Sequence, residues 1–461
     1  MRGTRAFRVA TTSARVLTGA TVAVACVAGV VAAVAVPWPS VEHAPAQAQI
    51  TPLPGDTVLV CNGDFRALGR IASNASQMVS AGVSELTAGG TEQAASVRLE
   101  ASDLAGGSGP EKFTGVVADR RAPLIAATES VALAATDLAG LAAAPCREAR
   151  TESWLVGGSV ATGTKDLVIL TNPGEVTATV TLTVYGGTTM SSSSAIVPAG
   201  KQVAVPLGSI AAGAQAPVVK VASEGSAVRA VLQSSFVRTL DPAGIDLQDA
   251  VTGPQQEQVI AGVQVFANDG DDTDMTVLRM LAPDADSNAE VVVRPMGERG
   301  APSAELSVPL TAGNPTEVSL GDLAAGAYSV EVRSDAPALA AVRQRDGTGS
   351  GSDFAWVTPA PEIDGEVLSA VPAGPSPQIH LLNRGDAEVT VDLTPAGGGA
   401  AQSVTVPANG SAIAALSSET SYALAASAPV HAAVTMTAEG ALAAWPLWPS
   451  AGVEQSITVY P

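Results

Sequence analysis

The chain has 461 residues and a formal charge of −20, and 46 % of its residues are hydrophobic but only 3 % aromatic. This length holds roughly three or four domains of ordinary size, with cores built from Val, Ala and Leu. A protein so acidic repels phosphate backbones, which argues against nucleic-acid binding. Its 45 glycines and 31 prolines favour β-sandwiches or barrels over helical folds.

The N-terminus carries a candidate membrane segment. Four arginines and no acidic residue precede an uncharged stretch that extends from Val16 to Val36. At about 1.5 Å per residue, a helix over this stretch spans roughly 30 Å, the thickness of a bilayer core. The positive charge before it predicts residues 1–40 as a cytoplasmic tip and signal-anchor transmembrane helix of a single-pass cell-membrane protein. The alternative is a signal peptide cleaved after the Ala46-Gln47-Ala48 motif, which would release a secreted protein.

Of the three cysteines, one lies in the predicted membrane segment and two lie in the exported part. Cys26 lies in the middle of the apolar stretch and is interpreted as membrane packing. Cys61 and Cys146 lie on the exported side, where an oxidising compartment favours a disulfide over two free buried thiols. Such a bond would close a loop of about 85 residues and stabilise the fold by a few kcal/mol.

Two segments follow the membrane stretch. Residues 41–54 form a linker rich in Pro and Ala that would hold the exported part away from the membrane. The segment 55–150 is β-rich but weakly patterned, and its residues 70–86 fit an irregular helix as well as strands. Residues 123–135 resemble residues 217–231 further on, so this segment is either a degenerate repeat or a domain of its own.

From Trp154 onward one pattern occurs three times. A strand leads into a turn, a second strand alternates apolar and polar residues, and a Val-Pro pair and a hairpin follow. The turns are Asn172-Pro173-Gly174-Glu175, Ala282-Pro283-Asp284-Ala285 and Asn383-Arg384-Gly385-Asp386. Agreement in order and turn chemistry is the signature of repeats. The three predicted modules are residues 151–255, 256–362 and 363–461.

Modules of about 100 residues with a turn signal every 8 to 12 residues are typical of immunoglobulin-like or fibronectin-like β-sandwiches. The predicted fold class is therefore all-β, with tandem immunoglobulin/fibronectin-like β-sandwich repeats behind one N-terminal transmembrane helix.

An acidic run in the second module is the sharpest candidate metal site. It contains Asp269, Asp271, Asp272 and Asp274, and oxygen ligands at alternate positions suit Ca²⁺. The run lacks the Gly and the distal Glu of an EF-hand loop, so solvated turns explain it better. No cofactor is predicted, and two exported cysteines with few histidines are too few ligands for structural zinc.

No catalytic arrangement is apparent in the sequence. A serine hydrolase needs Ser, His and an acid within reach, and no Ser here lies in a G-x-S-x-G motif. His380 and His431 fall on predicted strands, and His431 occupies the position of Arg229 and Ala340 in the other modules. The triplet Arg384-Gly385-Asp386 spells an adhesion motif, but it matches the turn of the first module. The chain is therefore predicted not to be an enzyme.

Two tryptophans near the C-terminus are candidates for sugar binding. Trp445 and Trp448 could stack against a glycan, whereas packing in a core or between modules is the alternative.

The run from Cys146 through Trp154-Leu155-Val156-Gly157-Gly158 to Leu170-Thr171-Asn172-Pro173-Gly174 resembles an uncharacterised family of secreted actinobacterial proteins, known only as a domain of unknown function. The stretch Val60-Cys61-Asn62-Gly63 also resembles that family, although Asn62 stands where its usual form has Pro. The resemblance implies an exported envelope protein with one N-terminal membrane segment, and it implies no catalytic residues.

The first functional hypothesis is a non-enzymatic extracytoplasmic protein of the cell envelope, anchored in the membrane by its N-terminal helix. Its β-sandwiches would act as a spacer or as a docking surface for another envelope protein. The alternative is a cell-wall polysaccharide-binding accessory protein that assists a glycosyltransferase. Exposure of both Trp445 and Trp448 beside a groove would favour this alternative.

Overall fold

The computed structural model describes residues 4–35, 48–50, 55–90, 94–118, 123–187, 190–267, 274–297, 301–449 and 457–459. Val36, most of the linker 41–54, and Asp269, Asp271 and Asp272 of the acidic run lie outside these residues. The chain forms two compact units, one of residues 1–52 with 455–461 and one of residues 53–454. The all-β class with one N-terminal apolar helix, predicted from the sequence, is confirmed.

The first unit contains the N-terminal helix. Helix α1 spans Thr4–Ala35, and its window Arg15–Ala32 has a mean hydropathy of 1.9. This window is long and apolar enough to cross a membrane, and a signal sequence has the same character. Cys26 is exposed on this helix as a free thiol. Strand β1 (Ala48–Ile50) pairs antiparallel with the C-terminal strand Ile457–Val459.

The second unit begins with an N-terminal segment of three three-stranded sheets, with the orders β2-β8-β6, β10-β9-β5 and β3-β4-β7. Its strands are β2 (Thr57–Val60), β3 (Phe65–Ala67), β4 (Met78–Gly82), β5 (Glu85–Gly90), β6 (Ala95–Arg98), β7 (Leu104–Ala105), β8 (Glu111–Gly115), β9 (Ile125–Ala134) and β10 (Ala139–Pro145). The helical interpretation of residues 70–86 is wrong, because β4 and β5 occupy the second half of that stretch.

The first module is a sandwich of two four-stranded sheets, β11-β16-β13-β14 and β15-β12-β17-β18. Its elements are β11 (Glu152–Leu155), β12 (Leu167–Thr171), β13 (Ala178–Tyr185), β14 (Ser191–Val197), β15 (Gln202–Pro206), the one-turn helix α2 (Leu207–Ile210), β16 (Val218–Glu224), β17 (Arg229–Arg238) and β18 (Asp241–Asp249). Val180 and Leu182 of β13 pack with Val168 and Leu170 of β12 in one core between the sheets. The alternating strand thus buries one face, as its period of two residues dictates.

The second module shares one long strand between its two layers. Its strands are β19 (Gln255–Val265), β20 (Thr276–Leu281), β21 (Ser287–Pro295), β22 (Ala304–Leu310), β23 (Thr316–Ser319), β24 (Gly326–Arg345) and β25 (Phe354–Val357). Strand β24 pairs with β19, β20, β21 and β25.

The third module again has two sheets, β27-β32-β29-β30 and β26-β33-β28-β31, and its strand β34 pairs with β33. Its strands are β26 (Glu362–Ile363), β27 (Glu366–Val371), β28 (Gln378–Asn383), β29 (Val389–Pro395), β30 (Gln402–Val406), β31 (Gly410–Ala415), β32 (Thr420–Ala426), β33 (Val430–Ala438) and β34 (Ala441–Pro446). The C-terminal strand Ile457–Val459 is β35.

Strand pairing gives the true correspondence between modules. His431 pairs with Leu382, and Arg229 pairs with Thr171, so these two residues occupy equivalent positions. In the second module the equivalent residue is Leu339, which pairs with Leu281. The correspondence with Ala340 is therefore wrong by one position, because β24 continues as one strand where the other modules turn.

The repeated turns of the first and third modules are held by an asparagine side chain. In the first module Asn172 donates from Nδ2 to the backbone oxygens of Val176 and Val197, and its Oδ1 accepts from the N–H of Gly174. Asn383 forms the same bonds around the Arg384-Gly385-Asp386 triplet, with Oδ1 accepting from Gly385. This triplet is thus an ordinary turn of the repeat.

Candidate docking surface

The four parts of the second unit meet at four strands. In each part the final hairpin, β9–β10, β17–β18, β24–β25 or β33–β34, sends its last strand to the same place. Strand β10 contacts β18, β18 contacts β25, β25 contacts β34, and β34 contacts β10. The N-terminal segment and the three modules therefore pack around one shared centre, and they are not independent domains arranged one after another.

One carboxylate lies at this centre and binds all four strands. Asp353 is fully buried. Its Oδ2 accepts hydrogen bonds from the N–H of Leu141 at 2.7 Å and of Leu442 at 2.8 Å. Its Oδ1 accepts from the N–H of Ile245 and of Phe354, both at 3.0 Å. These donors belong to β10, β34, β18 and β25, so the central carboxylate of Asp353 joins four segments that are remote in sequence.

Glycines make room for the central carboxylate. Gly140 and Gly244 precede the donors Leu141 and Ile245, with φ of +135° and +116°. A Cβ at Gly140 would overlap Asp353 Oδ1, and one at Gly244 would lie 2.7 Å from the same atom. Sequence reasoning missed this arrangement. The available signal was a Gly close before the donor in the last strand of a hairpin: Gly140 and Gly244 directly precede Leu141 and Ile245, and Gly440 lies two residues before Leu442.

The cysteines and the tryptophans lie near a small groove. Cys61 and Cys146 are buried and form a disulfide. Trp448 is half-buried in the wall of a cavity of about 100 Å³, and the Arg147 guanidinium lies 3.5 Å from its ring centre. Trp445, in contrast, is 3 % exposed and belongs to the core of the third module. The stacking prediction is therefore wrong for Trp445, because β34 turns this side chain inward.

The remaining candidates of the sequence are not brought together. Asp274 is exposed at the start of the second module's core strands. The described ranges contain no group of three His, Cys, Asp or Glu side chains that could hold a metal ion. His380 is buried and shares a hydrogen bond of 2.9 Å with Thr435 Oγ1, and the Nδ1 of His431 lies 2.9 Å from the backbone oxygen of Ala360. Both histidines therefore have structural partners.

An open sheet edge distinguishes the first module. Among the strands that the structure describes, β14 pairs only with β13, so it ends its sheet and offers backbone donors and acceptors on its other side. Its sequence, SSSSAIV, contains no charge and no proline, and its register with β13 is unbroken. On its outer face Ile196 is 66 % exposed.

Natural edge strands are usually blunted by charges, prolines, bulges or shortness. The corresponding edge strand of the second module, β22, is also seven residues long, but it carries Glu305 and Pro309. In the third module β30 has only five residues. Strand β14 is therefore the long, unprotected edge among these three equivalent strands.

The family model described as "Family of unknown function (DUF5719)" matches residues 101–419, which is more than half of the chain. The protein belongs to this family. The match begins inside the N-terminal segment, runs through the first two modules and ends within the third. It therefore includes Asp353 and two of the strands that donate to it from other segments, and it does not coincide with a single module.

Other comparisons add little. No curated protein matches the chain. A solved structure described as "Biofilm associated protein - BSP domain" aligns over 92 % of this chain and 99 % of its own, at 9 % identity and a TM-score of 0.12. A similarity at this level carries no argument about fold or function.

Buried carboxyl groups of this family member predict a pH-dependent stability. Burial raises the pKa of Glu129 and Asp166 to about 7 and that of Asp246 to about 8. In the unfolded chain these groups titrate near pH 4. The folded state then holds protons that the unfolded state has released, so the free energy of unfolding falls as pH rises through this window. Burial lowers the pKa of His380 to about 4, and this effect destabilises the fold as the pH falls through about 6.5, where the unfolded histidine binds its proton.

We therefore expect the urea midpoint of the full chain to fall as the pH rises from about 6.5 to about 8. At the lower end of this range the histidines of the unfolded chain release their remaining protons, which opposes the fall, but the three buried carboxyl groups release more protons from the folded state. Asp246→Asn keeps an acceptor for the N–H of Trp356 but removes one titrating group, so it should reduce the slope. A midpoint that is flat or rising between these two pH values would contradict the prediction.

Proposed function

We propose that the protein is a non-enzymatic extracytoplasmic protein of the cell envelope that docks another envelope protein by strand addition at β14. The observation that carries the proposal is the long, uncharged edge of this strand. An exposed edge of this kind promotes aggregation unless a partner covers it, and an extended partner segment gains main-chain hydrogen bonds by pairing with it. The apolar N-terminal helix and the disulfide support an extracytoplasmic position.

The side chains on the outer face beside this edge indicate the chemistry of the partner segment. Residues Ser192, Ser194 and Ile196 of β14 lie opposite Thr183, Thr181 and Thr179 of β13. Such a face is small, neutral and mostly hydroxylated, and it can accept the side chains of an added strand without a charge conflict. The partner segment is accordingly expected to be extended, β-branched and free of charge at the paired positions.

The edge of β14 is already formed in the folded chain, which favours docking over a role as a spacer. Strand β14 pairs with β13 along its length, and its module also contributes Ile245 to the hydrogen bonds of the central carboxylate. A pre-organised edge loses little conformational entropy on binding, which favours affinity. Polysaccharide binding by Trp445 and Trp448 is less well supported, because Trp445 is buried and the Arg147 guanidinium covers one face of the Trp448 ring.

A photo-crosslinking residue placed at Ser194 in the full chain tests the proposal in intact membranes. Thr405 provides the matched control position, because it is exposed on the equivalent edge strand β30. We expect a protein adduct from Ser194 whose linked segment is an extended stretch of the partner, and no adduct from Thr405. A synthetic peptide of that segment should bind the purified chain.

Charge on the edge should abolish this interaction. The pair Ser192→Lys and Ser194→Lys should remove the adduct and weaken peptide binding on the order of tenfold or more, with an unchanged melting temperature. The same two charges on β30, at Ser403 and Thr405, should have no effect. Adducts with glycan alone, or with a second copy of this chain, would refute docking of another envelope protein.

A further inference from the structure

The edge strands of the three modules differ at one exposed position. Strands β14, β22 and β30 align on the valine of the recurring Val-Pro pair, which is Val197, Val308 and Val406. The exposed residue before this valine is Ile196 in the first module, Ser307 in the second and Thr405 in the third. The first module therefore has a large apolar side chain where the other two modules have a hydroxyl group.

The edge strands of the second and third modules hydrogen-bond to carboxylates of their own sheets. Ser307 Oγ donates to Oε1 of Glu290, its cross-strand partner, at 2.7 Å. In the third module the hydroxyl group of Ser403 donates to Asp392, which is again its cross-strand partner. These pairs engage outward-facing side chains and place a negative charge beside the edge.

The first module has threonines in place of both carboxylates. Thr179 and Thr181 of β13 lie opposite Ile196 and Ser194 of β14. By the alignment on the Val-Pro pair, these threonines correspond to the two acidic residues of the other modules. The outer face of the β13–β14 pair is therefore neutral, and its hydroxyl groups do not form the charge-assisted pairs that the other two modules have.

The main chain of β14 presents alternate residues to the side away from β13. The backbone oxygen of Val197 accepts from Nδ2 of Asn172, which also donates to the backbone oxygen two residues before β13. The Val197 oxygen therefore lies on the β13 side. Along a strand in an antiparallel sheet, successive residues direct their N–H and C=O groups to opposite sides. Those of Ser192, Ser194 and Ile196 consequently point away from β13.

We infer that Ile196 determines which segment β14 accepts, an inference that rests on the strand addition proposed above. An added strand would form its main-chain hydrogen bonds with Ser192, Ser194 and Ile196, and the partner residue opposite Ile196 packs beside it. Because 66 % of Ile196 is exposed in the free chain, a large apolar residue at this position gains the most from burial.

The direction of the added strand then fixes the order of residues in the partner segment. Antiparallel pairing is slightly more stable than parallel pairing, and it continues the antiparallel sheet of the first module. The partner segment accordingly begins with a large apolar residue opposite Ile196. Small or hydroxylated residues follow two and four positions later, opposite Ser194 and Ser192.

A phage-displayed library of short random peptides, selected on the full chain in detergent, tests this order. We expect enriched peptides to have a β-branched or aromatic residue followed, two and four positions later, by small or hydroxylated residues. Ile196→Thr installs the residue of the third module, and selection on this variant should remove the preference for the apolar residue. A synthetic copy of the best peptide should bind Ile196→Thr roughly tenfold more weakly than the parent chain. The melting temperature should not change.

Val176→Thr is the matched control, because Val176 is 60 % exposed and lies outside β13 and β14. It should leave the affinity unchanged. The same apolar preference on Ile196→Thr, the reversed order of residues, or an equal loss of affinity in Val176→Thr would overturn the inference and leave docking at β14 intact. No enrichment, or equal enrichment on the chain with Ser192→Lys and Ser194→Lys, would contradict docking itself and the inference with it.

Discussion

Replacing Asp353 by alanine is expected to lower the free energy of unfolding by at least about 4 kcal/mol. The carboxylate accepts from the N–H of Leu141, Ile245, Phe354 and Leu442, and all four donors would lose their acceptor in a site with no solvent exposure. Each buried donor left without a partner costs roughly 1–3 kcal/mol.

Hydrogen exchange distinguishes loss of the shared centre from a local defect. In Asp353→Ala the amides of Leu141, Ile245 and Leu442 should exchange faster together, although they belong to three other segments. Asp364→Ala is the control for loss of a surface carboxylate, because Asp364 is exposed. It should shift the free energy of unfolding by less than about 0.5 kcal/mol. Faster exchange confined to the second module would show that Asp353 stabilises only its own loop.

The parts of the fold that obey a local period could be predicted from the sequence. Apolar and polar residues alternate along β13 because one face of the strand packs inside the sandwich. The turns that begin at Asn172, Ala282 and Asn383 recur because each module repeats the same strand–turn–strand unit. The apolar part of helix α1 was predictable from the uncharged stretch that begins at Val16. These features depend on residues within about ten positions of each other, so a single stretch of sequence contains the whole signal.

The central carboxylate could not be predicted in this way. Asp353 lies in a Gly-rich acidic loop that resembles any solvated turn, and its partners are backbone amides, which leave no side-chain signature. The donors Leu141, Ile245 and Leu442 are separated by 104 and 197 residues, and only the closed arrangement of four strands brings them together.

The tryptophans illustrate the same limit at a candidate site. Trp356 and Trp445 stand near the ends of successive modules, and both are 3 % exposed. Their shared context indicated core packing, whereas the sequence offered no means to separate Trp448, which lies at the groove under Arg147. Trp445 lies within β34 and is a core residue, whereas Trp448, three positions later, lies at the surface because β34 ends at Pro446.

Removing the disulfide is expected to lower the free energy of unfolding by about 4.5 kcal/mol in the chain-entropy model. Cys61 and Cys146 are separated by 85 residues, so the bond greatly restricts the unfolded chain. The double variant Cys61→Ala with Cys146→Ala should show this loss in urea unfolding. Cys26→Ser is the matched control, since Cys26 is a free, exposed thiol, and it should leave the midpoint unchanged. A loss below about 1 kcal/mol would contradict the model.

The disulfide and the central carboxylate act on the same strand, so their effects should not add. Strand β10 is held at Leu141 by Asp353, and Cys146 directly follows its last residue. Once either restraint is lost, β10 can leave the ring of four strands, and removal of the other restraint then costs less. A double-mutant cycle of Asp353→Ala with the cysteine variant should show a coupling of about 1 kcal/mol or more. Strict additivity would show that the N-terminal segment folds independently of the shared centre.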